Sequence, residues 1–274
     1  MPSLEIDGAH LVYDDTGAPF DGAPTLLLVH GFPLSRAMWG AQLEGLADAA
    51  RVVAPDLRGY GESTLGAWPG GKNPTLDRYG EDLARLAEHL GAAGPVVLCG
   101  FSMGGYIAMA MLRRFPESFH ALALVDTRAN ADDETARATR LKMADKIHEW
   151  GAGRVAELMR PKLFAPGAPD AAVEATTAVI AATSPLAIAA SQLAMASRPD
   201  STGLLRSIDK PTLVVCGEQD ELSPPDVMRG MAEAIPDARY VEIPDAGHMA
   251  PVENPSAVNA ALREFAAGLA DPAA

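Results

Sequence analysis

Pro95-Val-Val-Leu-Cys-Gly-Phe-Ser-Met-Gly-Gly-Tyr106 is the stretch on which the reading of this chain turns. Val96 to Cys99 is apolar throughout, as suits a strand buried on both faces, and Met103 to Phe115 reads as a helix. Between them stands Gly100-Phe-Ser-Met-Gly104, a Gly-x-Ser-x-Gly pentapeptide. In a strand-turn-helix junction of this kind the serine takes strained backbone angles, and glycines flank it because side chains there would strike neighbouring backbone. Ser102 then projects above the sheet at a helix N-terminus, where the helix dipole favours developing negative charge. A glycine-rich turn whose serine only caps the helix is the plainer reading of the pentapeptide; the flanking strand and helix favour a nucleophile.

Outward from this point the pattern repeats. Thr25 to His30, Arg51 to Pro55, Ala121 to Val125 and Pro211 to Cys216 are short apolar runs bounded by Gly, Pro or Asp. Helical patterns separate them: Ala37 to Ala47, Leu76 to Leu90, Pro225 to Ile235 and Pro255 to Leu269. In the second, Leu76, Tyr79, Leu83, Leu86 and Leu90 recur at three or four residues and make one apolar face. Strand and helix in alternation give an α/β sheet covered on both sides. Leu4 to Ile6 and His10 to Tyr13, joined by Asp7-Gly8, predict an antiparallel hairpin at a sheet edge, and Ala238 to Ile243 a last strand near the other edge.

Residues 130–205 break the rhythm, being rich in Ala, Met and Leu at helical spacing without a strand-like run. They predict a helical cap cut into three to five helices by Pro161, Pro166, Pro169, Pro185 and Pro199. The chain thus divides into a core, 1–129 and 206–274, and a cap, 130–205, with an Ala-rich C-terminal tail expected to fray. Most of the cap residues read as a packed helical layer. Leu141, Met143, Ile147, Trp150, Leu158 and Met159 are its candidates for lining a substrate pocket.

The 274 residues are 48% hydrophobic and 21% charged, ordinary globular usage, with no run of the ~18 apolar residues that span a bilayer. No basic segment followed by an apolar one opens the chain, so a cytoplasmic location is expected. A net charge of −14 repels phosphate backbones and anionic membranes, which argues against nucleic-acid and membrane partners. It also slows anionic substrates unless a local arginine reverses the sign inside a pocket. Cys99 and Cys216 end two buried strands; with one strand between them they stand roughly 9 to 10 Å apart, beyond disulfide reach. Two reduced thiols are expected.

Of six histidines, His248 lies in Pro244-Asp-Ala-Gly-His-Met-Ala-Pro251, after the last strand and before the final helix, where the base of a serine-acid-histidine chain order must come. His30 ends a strand and is expected to make structural hydrogen bonds; His10, His89, His120 and His148 fall on surfaces. Two acids lie just beyond strand ends, Asp126 and Asp220. Asp220, in Gly217-Glu-Gln-Asp-Glu-Leu-Ser-Pro224, holds the usual position of the acid in this order and is favoured, with Asp126 expected to bond loop backbone instead. The backbone N–H groups of Phe32 and Met103 are the expected oxyanion donors; Pro33 has none to give. Leu34 and Phe32 also suit the wall of an acyl pocket.

At these residues the chain resembles the α/β-hydrolase superfamily over nearly its whole length. His30-Gly-Phe-Pro33, Asp56-Leu-Arg-Gly-Tyr-Gly-Glu-Ser63, Gly100-Phe-Ser-Met-Gly-Gly105, Gly217-Glu-Gln-Asp220 and Asp245-Ala-Gly-His248 follow in the family's order. Val125-Asp-Thr-Arg-Ala129 and Ser197-Arg-Pro-Asp-Ser-Thr202 make it most similar to bacterial carboxylesterases of the 3-oxoadipate enol-lactonase-like group. The resemblance implies an eight-stranded, mostly parallel sheet with an α-helical cap after the sixth strand, and a structural role for Asp56 to Ser63. Haloalkane dehalogenases and epoxide hydrolases of this fold carry aspartate where Ser102 stands, which sets those activities aside.

The expectation is a serine carboxylesterase for small, short-chain esters, with Ser102, His248 and Asp220 as its triad and no metal or cofactor. An enol-lactonase is the alternative; its anionic substrate needs a cation such as Arg128, Arg137 or Arg140, though enol-lactonases do not usually carry Asp126-Thr-Arg128. Perhydrolase and C–C bond hydrolase chemistry fit the same residues less well. A non-catalytic small-ligand binding module on this fold is the reading from another class, and oligomeric state is left open.

Overall fold

The computed structural model describes residues 1–66 and 74–270; the tail from 271 on, where fraying is expected, lies outside them. Eight strands form one sheet: β1 (Ser3–Ile6), β2 (Ala9–Asp15), β3 (Thr25–Val29), β4 (Arg51–Pro55), β5 (Val96–Phe101), β6 (Ala121–Val125), β7 (Thr212–Gly217) and β8 (Arg239–Ile243), in the order β1-β2-β4-β3-β5-β6-β7-β8. The hairpin β1-β2 runs antiparallel to the rest, and β2 joins it to β4 through Tyr13 opposite Pro55. From β4 to β8 every pairing is parallel.

Every residue of β3, β5, β6 and β7 is buried, the two-sided burial that their unbroken apolar runs require. β8, on the edge, buries only Ile243. Cys99 and Cys216 are buried free thiols on β5 and β7, with β6 between them.

Helices α1 (Gly40–Leu46), α2 (Leu76–Leu90) and α3 (Met103–Arg114) connect the first strands. Thr75 starts α2 by accepting the Arg78 amide, and Leu76, Tyr79, Leu83 and Leu86 turn inward as their spacing dictates. Four helices lie between β6 and β7: α4 (Glu134–Leu163), α5 (Asp170–Ala182), α6 (Pro185–Ala196) and α7 (Thr202–Leu205). Helices α8 (Pro225–Ala234), α9 (Ala250–Glu253) and α10 (Pro255–Ala270) complete the chain.

Two details of the helical insertion depart from the sequence reading. Pro161 does not cut α4; it sits in the last turn, where little helix remains to be disrupted, and the break falls at Gly151, with φ 71° and ψ 163°. Leu141 and Leu158 face outward, 38% and 39% exposed, so neither lines a pocket.

The Asp56 to Ser63 turn is anchored by buried charge. Arg58 grips Asp82 of α2 with two hydrogen bonds of 2.8 Å, and its remaining donors reach the carbonyls of Leu65 and Ile6. Both side chains are buried, at 0% and 1% exposure. Replacing one partner strands the other charge in the core, so Arg58→Met is expected to lower unfolding free energy by about 3 to 5 kcal/mol. Urea denaturation checks this; a loss of under about 1 kcal/mol, the size of an exposed pair, would show that the ion pair does not anchor the turn.

Candidate active site

The pleat and the tight turn after β5 present Ser102. Its φ of 51° and ψ of −113° lie outside the usual regions for a side-chain-bearing residue. The turn is possible because a Cβ on Gly100 would strike the backbone of Gly104, and one on Gly104 would strike the Val29 carbonyl. Neighbouring β6 then holds the backbone on both sides: Ser102 N–H donates to Val125 O at 2.9 Å, and Thr127 Oγ1 donates to Ser102 O at 2.7 Å.

His248 arrives from the loop after β8. Its Nε2 lies 3.0 Å from Ser102 Oγ, and its Nδ1 lies 2.8 Å from Asp220 Oδ2. Asp220 and His248 are buried, Ser102 half-buried, so the hydroxyl meets solvent while its supports do not. Asp220 Oδ1 is fixed by the amides of Leu222 and Ser223 at 2.7 and 2.9 Å. Burial pushes the Asp220 carboxyl up, but the imidazole bond and these two amides win and hold it below the usual carboxylate range.

Asp126 stands beside this group with another task. Its Oδ1 accepts the Gly217 amide at 2.7 Å, tying β6 to the start of the acid loop, while its Oδ2 has no partner among the described residues. Burial, and then the nearby charge of Asp220, push the Asp126 carboxyl well above the usual range. Of two close carboxyls one keeps its proton, and here Asp126 is that one. Glu218 and Glu221 are exposed.

His30 is a buried structural group: its Nδ1 faces Gly31 O at 2.9 Å and its Nε2 accepts the Leu57 amide at 3.0 Å. That pattern requires the neutral ring with the proton on Nδ1, and burial, which lowers its pKa, agrees. It fixes the loop carrying Phe32. The amides of Phe32 and Met103 donate to no acceptor among the described residues. His120, expected on the surface, is exposed yet accepts the Val96 amide at 3.0 Å.

Leu34, two residues past Phe32, is 1% exposed to bulk solvent and lines an apolar cavity of about 230 Å³. Met38, Thr176, Val179, Pro251 and Val252 share it. Met143, Ile147 and Trp150 lie elsewhere: Met143 Sδ contacts Gln192 Nε2 at 3.1 Å, Ile147 is wholly buried in the core, and Trp150 is half-buried. Of the three arginines, Arg137 donates to Ala196 O and Arg140 is paired with Asp132. Arg128 is half-buried.

One residue of this region gave no sequence signal. Glu253 accepts the amides of Ala165, Gly247 and Met249 at 2.8, 3.0 and 3.1 Å, and so clasps the His248 loop to the segment between α4 and α5. A single glutamate just ahead of a proline-started helix looks like any solvated side chain; only the packed loop reveals its three partners.

A family model for the alpha/beta hydrolase fold matches residues 24–255. The bifunctional esterase/perhydrolase DCH of Acinetobacter calcoaceticus is 29% identical across 94% of this chain and 96% of its own. The 3-oxoadipate enol-lactonase 2 of Acinetobacter baylyi is 28% identical across 87% of each. Among solved structures, a thermophilic esterase from Thermogutta terrifontis superimposes with a TM-score of 0.92 at 41% identity, covering 99% of this chain and 100% of that one.

Proposed function

The chain belongs to the α/β hydrolase family, and from that premise we propose that it is a serine carboxylesterase acting on small, short-chain esters. Family membership alone does not set the chemistry. The observation that carries the reading is the continuous run from Asp220 through His248 to Ser102, with contacts of 2.8 and 3.0 Å.

In the proposed cycle Ser102 Oγ attacks the ester carbonyl carbon while its proton passes to His248 Nε2. The carbonyl electrons move to oxygen, which the Phe32 and Met103 amides stabilise; each such donor is worth about 3 kcal/mol. Collapse breaks the bond to the alcohol, which leaves with the proton from Nε2. Water then attacks the acyl-serine, giving its proton to Nε2, and the second collapse returns that proton to Ser102 and releases the acid. Asp220 keeps the imidazole in the needed tautomer and offsets its transient charge. The cavity beside Leu34 supports a short hydrocarbon portion in the substrate.

The test is a pre-steady-state burst of nitrophenolate from p-nitrophenyl acetate, stoichiometric with enzyme. Absence of turnover with any short ester would favour the binding-module reading.

The pH response follows from the site's charges. A carboxyl held below its ordinary range keeps its charge as pH falls through that range, so Asp220 is still ionised where imidazoles gain a proton, about pH 6.5. The stability its contacts lend is present above the ordinary carboxylate range and is lost only as pH falls below it. Activity is therefore expected to fall first through protonation of the base, with a single-proton slope in kcat/KM. A rate constant from about pH 5 to 9 would contradict the general-base role.

A further inference from the structure

We infer that Arg128 binds a carboxylate of the substrate, so that the esters preferred at the Ser102 site are half-esters of short dicarboxylic acids. The inference rests on the esterase reading and names the substrate class of the same site.

Its first support is position. β6 pairs β5 with Val125 opposite Phe101, and residues 125 and 127 hold the Ser102 backbone from both sides. Arg128 is the next residue after Thr127, so its flexible stem starts at the mouth of the proposed nucleophile.

The second support is an uncompensated charge. Every other buried or half-buried arginine among the described residues is ion-paired. Arg128 is half-buried and has no hydrogen bond, ion pair or ring contact among them. The chain holds 36 acidic residues against 22 basic ones, yet none is set against this guanidinium. Asp132, the nearest acid along the insertion, is already taken by Arg140 and Arg198, and the Asp126 carboxyl is turned to Gly217. A partly desolvated cation costs free energy until an anion meets it. A ligand carboxylate fits, because a guanidinium presents two parallel donors to its two oxygens.

The net charge of −14 repels anions over the rest of the surface, so a single cation at the site mouth confers selectivity as well as affinity. Hydrolysis of such a half-ester releases the alcohol and the free dicarboxylate. Neutral esters of the same length lack the group that Arg128 would hold.

The experiment compares monoethyl succinate with ethyl butyrate, in turnover by the active chain and in calorimetric binding to Ser102→Ala. Arg128→Gln is expected to lower the kcat/KM ratio of charged to neutral ester by about 10- to 100-fold, mainly through KM, as loss of a charge-assisted hydrogen bond dictates. Arg128→Lys should recover part of the ratio, and Arg206→Gln, which removes an exposed arginine elsewhere, should leave it unchanged. Binding of monoethyl succinate to Ser102→Ala should weaken equally when Arg128→Gln is added. A wild-type preference for ethyl butyrate, an unchanged ratio in Arg128→Gln, or unchanged binding in the double variant overturns the inference. If neither ester turns over but binding still depends on Arg128, the esterase reading fails and the carboxylate site stands.

Discussion

Ser102→Ala is expected to lower kcat for p-nitrophenyl acetate by about 10⁵-fold while leaving a folded chain that still binds ester. The size follows from removing the one hydroxyl bonded to His248 Nε2: without it no acyl-enzyme forms, and what remains is the contribution of binding and the oxyanion amides, about 10³-fold over water. Alanine at φ 51° costs roughly what serine already does there, so stability should change by less than about 1 kcal/mol. Stopped-flow kinetics and urea unfolding on the same sample separate the two effects. A loss of activity matched by a loss of fold would leave the nucleophile unproven, whereas a loss below about tenfold would exclude it.

The second large effect is expected at Asp220. Asp220→Asn should lower kcat by about 10⁴-fold, because an amide facing Nδ1 donates where the carboxylate accepts and so favours the wrong imidazole tautomer. Asp220 Oδ1 is already committed to two loop amides, which leaves Oδ2 as the atom that orients the ring. Asp126→Asn is a sharp comparison. Its carboxyl is held in the proton-bearing form by burial and by Asp220, asparagine has nearly the same shape, and the Gly217 amide keeps its acceptor. A fall of about tenfold or less is expected there. Should Asp126→Asn cost more than Asp220→Asn, the roles of the two acids are reversed.

Much of the architecture was legible because it rests on local rules. The apolar runs of β3, β5, β6 and β7 announce strands buried on both faces, and the spacing of Leu76, Tyr79, Leu83 and Leu86 fixes the inner face of α2 within a turn. Gly100, Ser102 and Gly104 could be placed because the geometry of one turn dictates all three residues. The juxtaposition of Ser102 with His248, 146 positions apart, was readable only from chain order: both follow the carboxyl ends of parallel strands, and those ends share one edge.

What stayed hidden depends on partners far along the chain. Arg58 meets Asp82 and Ile6, and nothing in the turn that holds it names either. Glu253 finds its three amides only when the His248 loop folds against Ala165. In α4 the competition between Pro161 and Gly151 was decided by position: a proline near a helix end removes little, while a glycine free to take positive φ lets the chain bend mid-helix. The outward turn of Leu141 and Leu158 has a similar origin, since α4 packs against both α5 and α6, and which stripe those neighbours cover is not written in α4 alone.

The most direct measurement of the central claim is intact-mass and peptide analysis after treatment with a fluorophosphonate. A reactive alcohol activated by His248 predicts one phosphonyl adduct per chain, on the peptide containing Ser102, formed in step with loss of esterase activity and absent from Ser102→Ala. Unmodified Ser102 in a chain that nevertheless hydrolyses esters would contradict the account.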